Sequence, residues 1–181
     1  MARYAALLLL VLVLDLRSPS QAVQRAYIYK GKTIHYFVRT FRPPVPMSPD
    51  LKRMNQDSAA NCAILFLSRL RDDDIQGAAQ LTTNPEHVFN LYSKSRARIG
   101  GPGFLDQISK VFGDNLNYVH ELVIGNEHAL IVDKLPGLAH YLRERNGTFL
   151  MEFPQLGFGP SEIDQLSVLV NENEAGKLKF E

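Results

Sequence analysis

The apolar residues of this chain change period once, and that change limits the folds open to it. Between Met54 and Phe112 they recur at spacings of three and four, as on the buried stripe of a helix. Between Asn117 and Phe153 they recur at every second position, as on one face of a strand. Helices in one run and strands in the next do not build a parallel sheet. The reading is an α+β domain, with the N-terminal helices packed on one face of a curved antiparallel sheet.

The helical half is punctuated by residues suited to helix ends. Ser48, Pro49 and Asp50 offer a hydroxyl cap, a first-turn proline and an acid near the positive end of the dipole. Met54, Ala59, Ala63, Phe66, Leu67 and Leu70 continue on one side. Asp72, Asp73 and Asp74 then interrupt the pattern. A calcium loop alternates its oxygen ligands and needs a glycine turn and a distal glutamate, which these three do not supply. They read instead as a joint between helices, with Asp73 as cap and Gln76 three residues on. Asn84 and Pro85 open a further helix, and Phe104, Leu105, Ile108, Val111 and Phe112 mark another beyond the turn expected at Ile99 to Gly103. That glycine-rich turn lacks the ending of a phosphate-binding loop.

In the strand half, Tyr118 to Asp133 reads as a hairpin about Gly125 and Asn126, and Ala139 to Phe153 as a second about Asn146 and Gly147, with Pro136 and Gly137 between them. A last strand pair is expected from Asp164 to Val170 and Lys177 to Phe180. Ahead of the helices, Ala26 to Phe41 is aromatic and β-branched and reads as a hairpin or bent strand. Pro43, Pro44 and Pro46 then suggest a connector.

Residues 1–22 have the form of a secretory signal peptide: Arg3, an apolar run from Ala5 to Leu14, and small residues at Ser20 and Ala22. The run is shorter than the roughly 20 apolar residues that a membrane span needs. Cleavage after Ala22 would leave an exported chain, periplasmic or extracellular, of about 159 residues, enough for one domain. Residues 23–47 would be an N-terminal β segment with its proline-rich connector, and 48–181 the main body. Without Arg3, Asp15 and Arg17 the formal charge of +1 falls to zero, and no block of like charge is large enough to grip phosphates. Nucleic acid is disfavoured as a partner. Cys62 is the only cysteine, so no intramolecular disulfide can form, and its place in an apolar helix reads as a small buried hydrophobe.

The pattern Ala63, Phe66, Leu67, Leu70, Asp74, Gly77, Ala78, Ala79 and Leu81 resembles the helical start of the nuclear transport factor 2-like superfamily, to which ketosteroid isomerase belongs. The resemblance covers roughly Ser58 to Phe180. It implies a cone-like arrangement, in which a curved sheet wraps around helices and leaves a cavity at the wide end. The superfamily includes isomerases, dehydratases and epoxide hydrolases beside members that only bind a ligand or a protein, so the likeness does not choose a function. Ala26 to Phe41 departs from its usual start.

Two-residue turns set the register, and with it the candidate site. In the second hairpin His140 faces Phe153, Leu142 faces Met151 and Glu144 faces Phe149, which makes His140 and Glu144 the polar members of an apolar face. In the first, Tyr118 faces Asp133 and His120 faces Ile131, while Glu121 and His128 fall on the other side. Both sides of this hairpin are largely apolar, so both should be covered, by the N-terminal segment or by the second copy of a homodimer. A histidine, His140 or His120, could act as general base, with Tyr118 stabilising an oxyanion and Asp133 nearby. Tyr118, Asp133, Glu144, Phe149, Met151 and Phe153 would line the binding pocket. His35, His87 and His128 read as surface or rim residues. No histidines are spaced i, i+4, and neither a metal nor a cofactor is expected.

The expectation is an exported, non-catalytic protein that binds a small apolar molecule or another exported protein. One alternative is a cofactor-free lyase or isomerase working through a pocket histidine. Another is an interaction module that adds Ala26 to Phe41 to a partner's sheet edge. An open pocket at His140 would favour the enzyme; a side chain packed shut against Phe149, Met151 and Phe153 would favour a protein partner.

Overall fold

The computed structural model describes residues 21–47, 55–111, 115–135, 137–153 and 161–180. The expected signal peptide, apart from Gln21 and Ala22, and the helix start expected at Ser48 to Asp50 lie outside the described residues, as do Phe112 and Pro136. Among the described residues no helix is long and apolar enough to cross a membrane.

Two N-terminal strands, β1 (Val23–Tyr29) and β2 (Lys32–Pro46), form a hairpin. Lys30 and Gly31 both take positive φ at its turn, 47° and 76°, the backbone twist that two-residue hairpins favour. Four helices follow: α1 (Ala59–Arg71), α2 (Ile75–Ala79), α3 (Pro85–Ile99) and α4 (Gly101–Val111). Next come β3 (Asn117–Ile124), β4 (Glu127–Val132), β5 (Ala139–Arg145) and β6 (Thr148–Glu152), and then α5 (Glu162–Glu174). The strands lie in chain order in one six-stranded sheet, and every neighbouring pair is antiparallel. The domain is mixed α+β, with five helices among the described residues.

The N-terminal segment is therefore part of the sheet, and the expected connector is the end of a strand. Its prolines are tolerated because the β2–β3 register shifts between Thr40 and Val45. Pro43 and Pro44 fall in that unpaired gap, where no ladder donor is required.

The aspartate joint is a helix stop followed by a helix start. Asp73 takes φ 60°, the Asp74 amide donates to the Arg69 carbonyl at 2.8 Å, and the Asp73 amide donates to Leu70 at 3.2 Å. This is the paired bonding of a Schellman C-terminus, with an aspartate in the left-handed position that glycine usually fills. The cap of α2 is Asp74, one residue later than expected: its carboxylate accepts from the Gly77 amide at 2.8 Å and from Arg69 at 2.8 Å. Asp73, once left-handed, points away to pair with Arg96 of α3. Asn84 caps α3 as read, accepting from the His87 amide at 3.2 Å.

Helices cover both faces of the sheet. On one, Ala63, Phe66, Leu67 and Leu70 of α1 pack on Leu130, Leu142 and Met151. On the other, Leu166, Leu169 and Val170 of α5 pack on Ile34, Tyr36, Val38, Leu122, Ala129 and Ile131. The strand pair expected after residue 164 is thus a correction: Asp164 to Val170 is helical, and Lys177 to Phe180 forms no strand. Leu166, Val168 and Val170 alternate as on one face of a strand. The buried set Ile163, Leu166, Leu169 and Val170 has helical spacing, and Ser161 with Asp164 forms a capping box that starts the helix. All six residues of β4 are buried, as two-sided cover requires, and α5 supplies the second cover from within the chain.

Candidate functional site

Register arranges the α1 side of the sheet into cross-strand rows. One row runs Phe37, Val123, His128, Leu142 and Met151 across β2 to β6; the next runs Arg39, Glu121, Leu130 and His140 across β2 to β5. Glu144 and Phe149 pair one row beyond the first. Two histidines and two glutamates thus share one surface, interleaved with apolar side chains.

The tyrosine expected beside His120 lies with His140 instead. The β3–β4 register shifts between Tyr118 and His120, so that Tyr118 pairs with Val132 rather than with Asp133. This bulge at Val119 moves Tyr118 to the α1 side and leaves His120 on the α5 side. There His120 Nδ1 lies 3.1 Å from the Thr40 hydroxyl and its ring stands edge-on to Phe180. Asp133 accepts from the Asn117 amide at 2.8 Å and from the Asn117 side chain at 2.7 Å, and so ties the end of β4 to the start of β3. His120 and Asp133 do not join a site with Tyr118.

Tyr118 and His140 form a sealed pair. The phenol oxygen lies 2.7 Å from His140 Nδ1, and the two residues are 0% and 7% exposed. Burial lowers the His140 pKa to about 4 and raises that of Tyr118 well above its ordinary value. Around them, Met151 and Leu142 pack against α1, the Cys62 thiol donates to the Phe149 carbonyl at 3.1 Å, and Phe153 meets Phe66. Burial pushes Cys62 up to about 11, so its thiol is inert at neutral pH. Phe149, Met151 and Phe153 act here as core packing.

The second histidine of this face is His128, which stands in different chemistry. Its Nδ1 lies 2.8 Å from Glu121 Oε1, and Glu121 Oε2 accepts from Arg39 at 2.8 Å. On the other side of the ring, Nε2 is buried with no hydrogen-bond partner among the described residues, and Glu144 Oε2 is 3.9 Å away. Phe149 meets the ring edge-on at 5.0 Å between centroids. Glu121 is buried, whereas the Arg39 and Glu144 side chains are 44% and 40% exposed, so the cluster reaches solvent at its two ends. The rim assignment of His128 is corrected to a buried one: Leu142 pairs with it on one side and Val123 on the other. The signal was present in the hairpin register, which sets Glu121 and His128 diagonally on one face, within reach of long side chains. Arg39 could not be foreseen, because no turn fixes the pairing of β2 with β3.

Two other polar features lie apart from this cluster. On the α5 side, Arg143 pairs with Glu127 and lies 3.7 Å from Glu152; burial raises the Glu127 carboxyl, and Arg143 opposes the shift. Between α2 and α3, a surface groove of about 370 Å³ is bordered by Asp73, Asp74, Phe89 and Arg96. Its charged members already pair, Asp73 with Arg96 and Asp74 with Arg69. Among the described residues no three histidine, cysteine or acidic side chains converge as metal ligands. No family model, curated protein or solved structure matches the chain.

Proposed function

We propose that this chain is an exported, non-catalytic binding protein whose site lies on the α1 side of the sheet, where Arg39, Glu121, His128 and Glu144 meet. A cone-like arrangement would place its cavity on that same side. One observation carries the reading: His128 Nε2 is buried and has no hydrogen-bond partner among the described residues. An unsatisfied buried polar group costs about 1–3 kcal/mol, and a ligand that completes its bonding removes that cost. The sealed Tyr118–His140 pair supports the non-catalytic side, because neither group can reach a substrate without opening the core. Native mass spectrometry of protein purified from its own host tests the proposal. A retained ligand or partner, lost in a folded His128→Gln variant, is expected; an empty monomer in both contradicts it.

The Glu121–His128 pair favours a second reading, a cofactor-free lyase or isomerase. A carboxylate on Nδ1 fixes the tautomer and leaves Nε2 as a base, the arrangement a general-base histidine needs. Under this reading His128→Gln keeps the ligand but loses its turnover, whereas His140→Gln keeps both.

A further inference from the structure

The bonding around His128 restricts what its site can accept. A carboxylate only accepts hydrogen bonds, so Nδ1 carries the proton given to Glu121, and in the neutral ring Nε2 is left as an acceptor. Glu144 is a second acceptor, 3.9 Å from the first: too far for the two to bond, but the span that one donor nitrogen bridges when it sits about 2.9 Å from each. Arg39 balances the charge of Glu121, and Glu144 is left with a negative charge that no hydrogen bond from a cation offsets among the described residues.

A hydroxyl has one proton and serves one of these acceptors; a carboxylate is repelled by Glu144. An ammonium has three donors and the complementary charge. Phe37 and Val123 stand in the same row as His128 and offer an apolar track for an alkyl stem. Access requires Glu144 to swing aside, since Nε2 is shut off from water. Its side chain is 40% exposed, and its backbone is held in place by the Glu144 amide, which donates to the Asn126 carbonyl at 2.8 Å.

We propose that the ligand of this site presents a primary ammonium group, on an alkylamine or a lysine side chain, seated between His128 Nε2 and the Glu144 carboxylate. This rests on the reading of the face as a binding site. The test is calorimetric titration of the full chain at about pH 8, where an alkylammonium keeps its proton. The probes are butylammonium, 1-butanol and butyrate, with histidine side-chain ¹⁵N spectra recorded in parallel. Butylammonium is expected to bind saturably and shift His128 Nε2, and Glu144→Gln to weaken it about tenfold or more, as loss of a charge-assisted bond requires. Thermal melting checks that this half-exposed substitution leaves the fold intact. A short peptide containing lysine, compared with the same peptide containing norleucine, separates a protein source from a free amine. Butanol binding as tightly as butylammonium, or amine binding unchanged in Glu144→Gln, overturns the ammonium assignment and leaves the binding site standing. No response of His128 to any probe overturns both.

Discussion

His128 and His140 occupy neighbouring strands on the same side of one sheet and are equally exposed, at 7% each. They differ in what each ring meets. His140 meets a phenol and apolar packing, and burial holds its pKa down to about 4. His128 meets Glu121 on one nitrogen and approaches Glu144 with the other, within a cluster that reaches solvent through Arg39 and Glu144. Burial alone therefore does not mark a histidine as structural or functional. The charged groups within reach of the ring, and their own access to water, decide between the two.

The largest expected effect belongs to His140 and appears as pH dependence. Its folded pKa of about 4 lies below the ordinary 6.5, so between those values the unfolded state binds more protons. Stability should be full above pH 6.5 and fall as the pH drops towards 4, by about 3 kcal/mol in all. Urea denaturation across this range should show the loss, and His140→Gln should flatten it. The difference between the two proteins isolates His140 from Glu127, whose raised carboxyl works in the opposite sense and lowers stability as the pH rises through its range. A wild-type profile no steeper than that of the variant would break the contrast.

Tyr118→Phe comes next. It removes the hydroxyl 2.7 Å from His140 Nδ1 and should cost about 1–3 kcal/mol in chemical denaturation, with no change at the His128 resonances. Glu121→Gln should cost about 1 kcal/mol, since Arg39 is half exposed and solvent weakens the pair, yet it should shift the His128 ring nitrogens. The smallest effect is expected from Glu144→Gln, within about 0.5 kcal/mol by thermal melting, because its side chain touches water. A larger loss would make Glu144 a structural partner of His128.

Local chemistry made part of this legible in the sequence. Asn146 and Gly147 fix the β5–β6 register, and the pairs Leu142 with Met151 and Glu144 with Phe149 follow as read. Asn84 and Pro85 start α3, and Cys62 is a buried thiol in α1. The two-sided cover of the β3–β4 hairpin was also readable, but its source was not, because α5 shows both strand-like and helix-like spacing. The bulge at Val119 had the largest consequence for the site. No residue announces it, and one unpaired position moved Tyr118 from His120 to His140. The shift of the helix cap from Asp73 to Asp74 has the same character: the left-handed residue that ends α1 is chosen by the stop as a whole.

The division of labour between the two histidines is tested most directly by following all five imidazoles in side-chain ¹H–¹⁵N spectra while butylammonium is added near neutral pH. His128 is predicted to show a protonated Nδ1 and a ligand-dependent Nε2, while His140 stays neutral, bonded to Tyr118 and unmoved. A shift at His140 with His128 unchanged would contradict the account.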